Sequence, residues 1–195
     1  MNQVKPYNTE AGKKSEVEDM FDNIAPKYDL LNHVLSMKID VLWRNTLVKW
    51  MHKDQPKEVL DVATGTGDLA IAVQKGTSAK VVGLDLSQQM LNVGIEKIKK
   101  LNLDQQISMQ KGDAENLPFE SNKFDAVSVA FGVRNFENLE KGLAELRRVV
   151  KEEKSVYILE FSKVEGFLGP FYMFYFKNIL PQIGKLVSKD NRAYT

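Results

Sequence analysis

The stretch Val59-Leu60-Asp61-Val62-Ala63-Thr64-Gly65-Thr66-Gly67-Asp68-Leu69-Ala70 decides the fold. An apolar, β-prone run breaks at Gly65 and Gly67, and small or helix-forming residues follow. It therefore reads as a buried strand, a tight glycine turn and the opening of a helix. Glycines let the backbone turn sharply and come close to a ligand, while the start of the helix offers unpaired N–H groups. Ala70 completes Gly-x-Gly-x-x-Ala, a third small residue that lets helix and strand pack closely. Such spacings also arise by chance in loops, so the residues around it carry the argument further.

A second strand-like run, Lys80-Val81-Val82-Gly83-Leu84-Asp85, ends in an acid eighteen residues after Gly67. An acid at that distance is expected to reach a ribose hydroxyl, so an adenosine is expected in the site. Asp61, Asp68 and Asp113 then separate two kinds of adenosine ligand. Carboxylates facing the turn would repel the pyrophosphate of a dinucleotide, whereas S-adenosylmethionine presents an ammonium and a sulfonium. The acids favour S-adenosylmethionine over NAD. Asp61 as a solvated strand-end carboxylate, and Asp68 as an acid favoured by the helix dipole, remain the plainer alternatives.

At 195 residues the chain is the size of one α/β domain, 1–195, with a helical extension over 1–57 and an α/β core over 58–195. Its 27 basic and 26 acidic side chains are interspersed, which argues against a nucleic-acid footprint and a polybasic membrane patch. A small-molecule partner is expected. The absence of cysteine removes thiolate nucleophiles and zinc-cysteine sites, and His33 and His52 stand far apart, so no metal is expected. No apolar leader precedes Val17 and no run is long enough to span a membrane, which points to the cytoplasm.

Ser15-Glu16-Val17-Glu18 has the form of a capping box, predicting a helix from about 16 to Ile24, stopped near Pro26. The stretch from Tyr28 to Ser36 has no clean period. A further helix, about 41 to 51, carries Leu42, Trp43, Leu47 and Trp50 at helical spacing. From Glu58 onward strands near 58–62, 80–85, 107–111, 124–130 and 155–161 alternate with helices near 68–75, 88–101, 138–151 and 170–187. That alternation predicts a doubly wound, mainly parallel Rossmann-like sheet, preceded by helices that act as a lid or substrate wall. Ligands in such sheets bind beyond the carboxyl ends of the strands.

Asp113 follows the third strand, where a carboxylate can accept from an adenine amino group, or merely cap its own turn. Phe131-Gly132-Val133-Arg134-Asn135 follows the fourth and brings an arginine and an asparagine to the pocket rim; a surface salt bridge is the plainer reading of Arg134. The lysines of Lys97-Ile98-Lys99-Lys100 read as a solvated helix face. Phe167 to Phe176 is apolar nearly all round, as in a core helix or a wall for a greasy tail.

Two stretches resemble the ubiquinone/menaquinone-biosynthesis C-methyltransferases, which act on polyprenyl quinols. Tyr28-Asp29-Leu30-Leu31-Asn32, then Leu35-Ser36 and Trp43-Arg44, is similar to that family's N-terminal signature. Arg148-Val149-Val150-Lys151, then Leu159-Glu160-Phe161-Ser162, is similar to its C-terminal one. The resemblance implies a SAM-dependent methyltransferase that methylates a ring carbon of demethylmenaquinol or of a ubiquinol-pathway benzoquinol. It implies Thr66, Asp85, Leu86, Asp113 and Ala114 as S-adenosylmethionine contacts beside Asp61 and the Gly65 to Gly67 turn. Tyr28, Arg134 and Asn135 are implied near the quinol.

Four departures stand out. Lys38 and Asp40 replace a common glycine and histidine, and Ala130 replaces a serine of some relatives. Glu152-Glu153-Lys154 replaces a Pro-Gly-Gly turn. The family also continues through another helix and two final strands, so the chain is expected either to be a fragment or to leave a sheet edge open to pairing with a second copy.

A ring carbon becomes nucleophilic when a neighbouring hydroxyl loses its proton, and Arg134 with the Asn135 amide suits the resulting oxyanion. His33, Asp29, Tyr28 and water are the candidate bases. Two other readings stand beside this one: an NAD-dependent oxidoreductase, and a non-catalytic protein that binds S-adenosylmethionine. Brief membrane contact is expected from the aromatic run.

Overall fold

The structure, a computed structural model, describes residues 12–36 and 39–160. Among them, β1 (Glu58–Val62), β2 (Lys80–Asp85), β3 (Ile107–Lys111), β4 (Phe124–Ala130) and β5 (Val150–Leu159) form one sheet in the order β3-β2-β1-β4-β5. Every neighbouring pair is parallel. Helices α1 (Lys13–Ile24), α2 (Tyr28–Leu35) and α3 (Ile39–Lys53) precede the sheet. Helices α4 (Asp68–Thr77), α5 (Gln88–Lys100) and α6 (Leu139–Val149) link its strands. Strand order runs outward from β1 to β3 and resumes on the far side of β1 with β4. The switch point, and with it the crevice for a ligand, lies between β1 and β4.

Side chains alternate along a strand, so β1 feeds two cores. Val59 packs with Leu47, Met51, Leu69 and Val73 on one face. Leu60 and Val62 pack with Leu84, Val127, Leu146 and Val149 on the other. Each such side chain contributes about 1.5–3 kcal/mol when fully buried, so the doubly covered sheet is the main source of stability. Ser87 and Asn138 cap α5 and α6 by accepting from the N–H groups of Met90 and Lys141.

Four of the five expected strands have the predicted bounds, and the differences are local. α1 begins at Lys13 with Gly12 as its cap and no side-chain cap bond, so the Ser15 capping box does not form. The Lys13 N–H is met instead by Glu137 Oε1 at 3.1 Å, a tertiary contact that extends the helix backwards. The aperiodic stretch after Pro26 is helical as α2. In α3 Leu47 is buried, but Leu42 and Trp50 stand about 60% exposed, so the packing stripe is Leu47, Val48 and Met51 rather than the predicted one.

β5 starts at Val150 rather than 155, because Val150 pairs with Phe124 and Lys151 forms an ion pair with Asp125. The register then slips before Ser155 meets Ala126, and Glu153 takes φ 58° in the irregularity. That is the conformation glycine adopts most readily, which accounts for a glycine-bearing turn in the resembling family. The predicted 170–187 helix, Lys38 and the last residues of the C-terminal signature lie outside the described residues.

Candidate active site

The carboxyl ends of β1, β2, β3 and β4 open on a cleft roofed by α1 and α2. Two residues beside the switch point hold a left-handed backbone without being glycine: Ala63 after β1 at φ 53° and Phe131 after β4 at φ 58°. Such strain persists where the surroundings impose it, and it collects at functional sites. The two loops are pressed together, since a Cβ on Gly132 would come within 2.5 Å of the Ala63 Cβ.

Gly65 and Gly67 take φ 57° and 80°, so the turn is built as the sequence predicts. It is closed by Gly67 N–H to Thr64 O at 2.9 Å and anchored to β2 by Thr64 N–H to Leu84 O at 3.0 Å. Asp85 supports it from below: its Oδ2 accepts from Gly65 N–H at 2.8 Å and its Oδ1 from Ser87 N–H at 2.9 Å. Burial pushes the Asp85 carboxyl upward, while the N–H groups of Ser87, Gly65 and Leu86 hold it down. Each carboxylate oxygen carries two lone pairs, so capacity remains for ligand hydroxyls.

Gly65, Asp85, Leu86, Asp113 and Ala114 wall the cleft, as do Tyr28 and Asn135. Tyr28 lies against the turn, its Cε1 3.7 Å from where a Gly65 Cβ would stand. Burial raises its phenol pKa, so it stays protonated. Asp113 caps its turn, Oδ1 accepting from Glu115 N–H at 2.9 Å, and its side chain lines the cleft. There it meets Lys14 at 2.6 Å.

Four expected site residues are not in the wall. Asp61 is 1% exposed and accepts hydroxyl protons from Thr64 at 2.6 Å and Ser128 at 2.7 Å, so it braces the turn from within the sheet. Thr66 is also buried, its hydroxyl donating to Asp29 at 2.5 Å, and Gly67 is buried against Met109. Arg134 is half exposed and paired with Glu160 at 2.5 Å, the surface salt bridge of the plainer reading. Asp68, too, turns away, meeting Lys97 at 2.5 Å and Arg44 at 3.2 Å.

Of the acids named to repel a pyrophosphate, then, only Asp113 lines the cleft. Among the described residues the lining is acidic nonetheless, with Glu18, Asp85, Asp113, Glu115 and Glu137 against the ammonium of Lys14. Three of these escaped the sequence reading. Glu115 stands two residues beyond Asp113 and could have been found there. Glu18 and Glu137 reach the cleft only because α1 folds over it, a contact between residues more than a hundred apart. The same contact brings Phe21 and Lys14 into the wall. Among the candidate bases, Asp29 is paired with Lys97 at 2.7 Å, and the His33 side chain lies outside the described residues. Asp40 is held by Arg44 at 2.5 Å.

A model of the ubiE/COQ5 methyltransferase family matches residues 9–195. The demethylmenaquinone methyltransferase of Bacteroides fragilis is 46% identical over 194 residues, which are 98% of this chain and 79% of that protein. The ubiquinone/menaquinone biosynthesis C-methyltransferase UbiE of Geotalea uraniireducens is 44% identical over 184 residues, 93% of this chain and 77% of that protein. Among solved structures, a SAM-dependent methyltransferase from Aquifex aeolicus superposes with a TM-score of 0.52 at 30% identity. That match covers 56% of this chain and 59% of the other.

Proposed function

The chain belongs to the ubiE/COQ5 methyltransferase family, and on that premise we propose that it moves the methyl group of S-adenosylmethionine to a ring carbon of a polyprenyl quinol. Demethylmenaquinol, becoming menaquinol, is the substrate we favour, since relatives over most of the chain carry that activity in their names. The observation that carries the reading is the acidic lining: five carboxylates and one lysine make a cleft hospitable to an ammonium and a sulfonium and hostile to a pyrophosphate. The residues present fit such a donor, with Asp85 free to take ribose hydroxyls and Asp113 beside Ala114 placed for an adenine edge.

When bound, S-adenosylmethionine supplies an electrophilic methyl whose bond to sulfur breaks onto sulfur as the new carbon–carbon bond forms. The protein's part is to hold the quinol ring in line with that bond and to stabilise the oxyanion left when the quinol hydroxyl loses its proton. Asn135, in the cleft wall, offers an amide N–H to the oxyanion. Tyr28, kept protonated by burial, offers a hydroxyl from its place against Gly65. Arg134 joins them when its pair with Glu160 opens. The hydroxyl proton passes to water or a carboxylate of the lining; after methyl transfer the ring carbon gives up its proton by the same route and the oxyanion is reprotonated, so one proton is released in all.

We place the reaction in the cytoplasm at a membrane face, where the tail of the quinol resides. No described helix is long and apolar enough to cross a membrane. A test is the pair Asn135→Ala and Arg134→Ala with a short-chain demethylated naphthoquinol. Turnover should fall at least tenfold while S-adenosylmethionine still binds by calorimetry; equal loss of binding and turnover in both would refute the assigned roles.

A further inference from the structure

Lys97 lies in the last turn of α5, in a run of lysines that reads as a wetted helix face, yet its ammonium is engaged inside the fold. Nζ donates to Asp29 Oδ2 at 2.7 Å, to Asp68 Oδ1 at 2.5 Å and to Thr66 Oγ1 at 3.2 Å. The Thr66 hydroxyl donates in turn to Asp29 Oδ1 at 2.5 Å. An ammonium has three N–H bonds, and here all three have an oxygen. The acceptors come from α2, from the glycine turn and from the first residue of α4, so one side chain on α5 joins three separate pieces of the site.

Asp29 follows Tyr28 directly, and Tyr28 lies over Gly65. Whatever holds Asp29 against Thr66 therefore holds the Tyr28 ring over the turn. Asp68 would keep Arg44 as a partner were Lys97 removed, at 3.2 Å. Asp29 would keep only the Thr66 hydroxyl. A carboxylate left with one neutral donor turns towards water, and it would take the start of α2 with it.

We propose that Lys97 is a positioning residue for the methyl-donor site: by binding Asp29, Asp68 and Thr66 together it fixes α2 against the Gly65 to Gly67 turn and sets Tyr28 over Gly65. The inference rests on the reading of this cleft as the S-adenosylmethionine site. Each of these ion pairs is partly exposed, so its direct contribution to stability is modest. The consequence of losing it is geometric and falls on the ligand.

The experiment is calorimetric titration of S-adenosylmethionine into wild type, Lys97→Met, Lys97→Arg, Asp29→Asn and the double variant Lys97→Met with Asp29→Asn, with a thermal melt of each. Lys97→Met should raise the Kd about five- to tenfold, as expected for a charged hydrogen bond discounted for solvent. Lys97→Arg should restore most of the affinity. In the Asp29→Asn background, Lys97→Met should add less than about twofold, because the two residues act through one contact. A general loss of structure would lower the melting temperature and add in full in both backgrounds.

Unchanged affinity in Lys97→Met, or full additivity in the double variant, overturns the inference. Should Lys97→Met not fold, Lys97→Gln takes its place with the same two outcomes. A wild type that does not bind S-adenosylmethionine overturns the reading of the cleft and the role of Lys97 with it; a wild type that binds, beside an indifferent Lys97→Met, overturns the role of Lys97 alone.

Discussion

Lys14 of α1 reaches across the mouth of the cleft to Asp113, its Nζ 2.6 Å from Oδ2. The carboxylate placed to read an adenine amino group thus already holds a cation belonging to the protein, and α1 is tied down by it. The pair is about one-third exposed at both ends, so it contributes about 0–1 kcal/mol to stability. Its hydrogen bond to Asp113 raises the Lys14 pKa. The contribution is therefore complete below the ordinary lysine value and fades as pH rises through the higher folded one. Lys14→Ala should cost less than about 1 kcal/mol in urea unfolding at neutral pH. It should also tighten S-adenosylmethionine binding severalfold, because a competing cation leaves an acidic site. Weaker binding would mean that Lys14 touches the ligand instead of competing with it.

Asp61 gives a pH signature of the same sign in the acid range. Burial pushes its carboxyl up to about 6, against the pull of the Thr64 and Ser128 hydroxyls. The unfolded chain releases that proton near pH 3.9, so between about pH 4 and 6 the folded state holds more proton and stability falls as pH rises. The charged form then costs the fold about 3 kcal/mol at neutral pH. Asp61→Asn removes that titration. In urea unfolding, the stability of the variant relative to wild type should climb from pH 4 to 7 and level off above; a flat difference would show that Asp61 titrates as an exposed acid does.

Gly132 and Ala63 fix the spacing of the two loops at the switch point. A methyl on Gly132 would meet the Ala63 Cβ at 2.5 Å and Val129 Cγ2 at 3.2 Å, and neither the strained Ala63 backbone nor β4 yields cheaply. Gly132→Ala should destabilise by about 1–3 kcal/mol, as overpacked sites do, with a matching fall in the denaturation midpoint. An unchanged midpoint would show that the loops are free to part.

What was legible in the sequence follows the range of the forces involved. β1, β2 and β4 have their predicted bounds because buried parallel strands are apolar runs, a local signal, while the half-polar β3 is closed by Gly112. Asp85, Asp113 and Gly65 come to the cleft for the same reason: each ends or follows a strand. Asp61 and Asp68 were misplaced because the sequence shows their distance from the turn but not the hydroxyls and cations that engage them. Lys97 was read as solvated, since its three acceptors are 29 or more residues away. The capping box at Ser15 lost to Glu137. In each case a tertiary partner outweighed the local pattern.

The central claim is that an acid-lined cleft passes a methyl group from S-adenosylmethionine to a quinol ring. Incubation with methyl-labelled S-adenosylmethionine and a short-chain demethylmenaquinol, followed by mass spectrometry of the naphthoquinol, tests it most directly. One labelled methyl should appear on the ring carbon for each S-adenosylhomocysteine released. No label on the ring, together with NADH bound at the Gly65 to Gly67 turn, would contradict it.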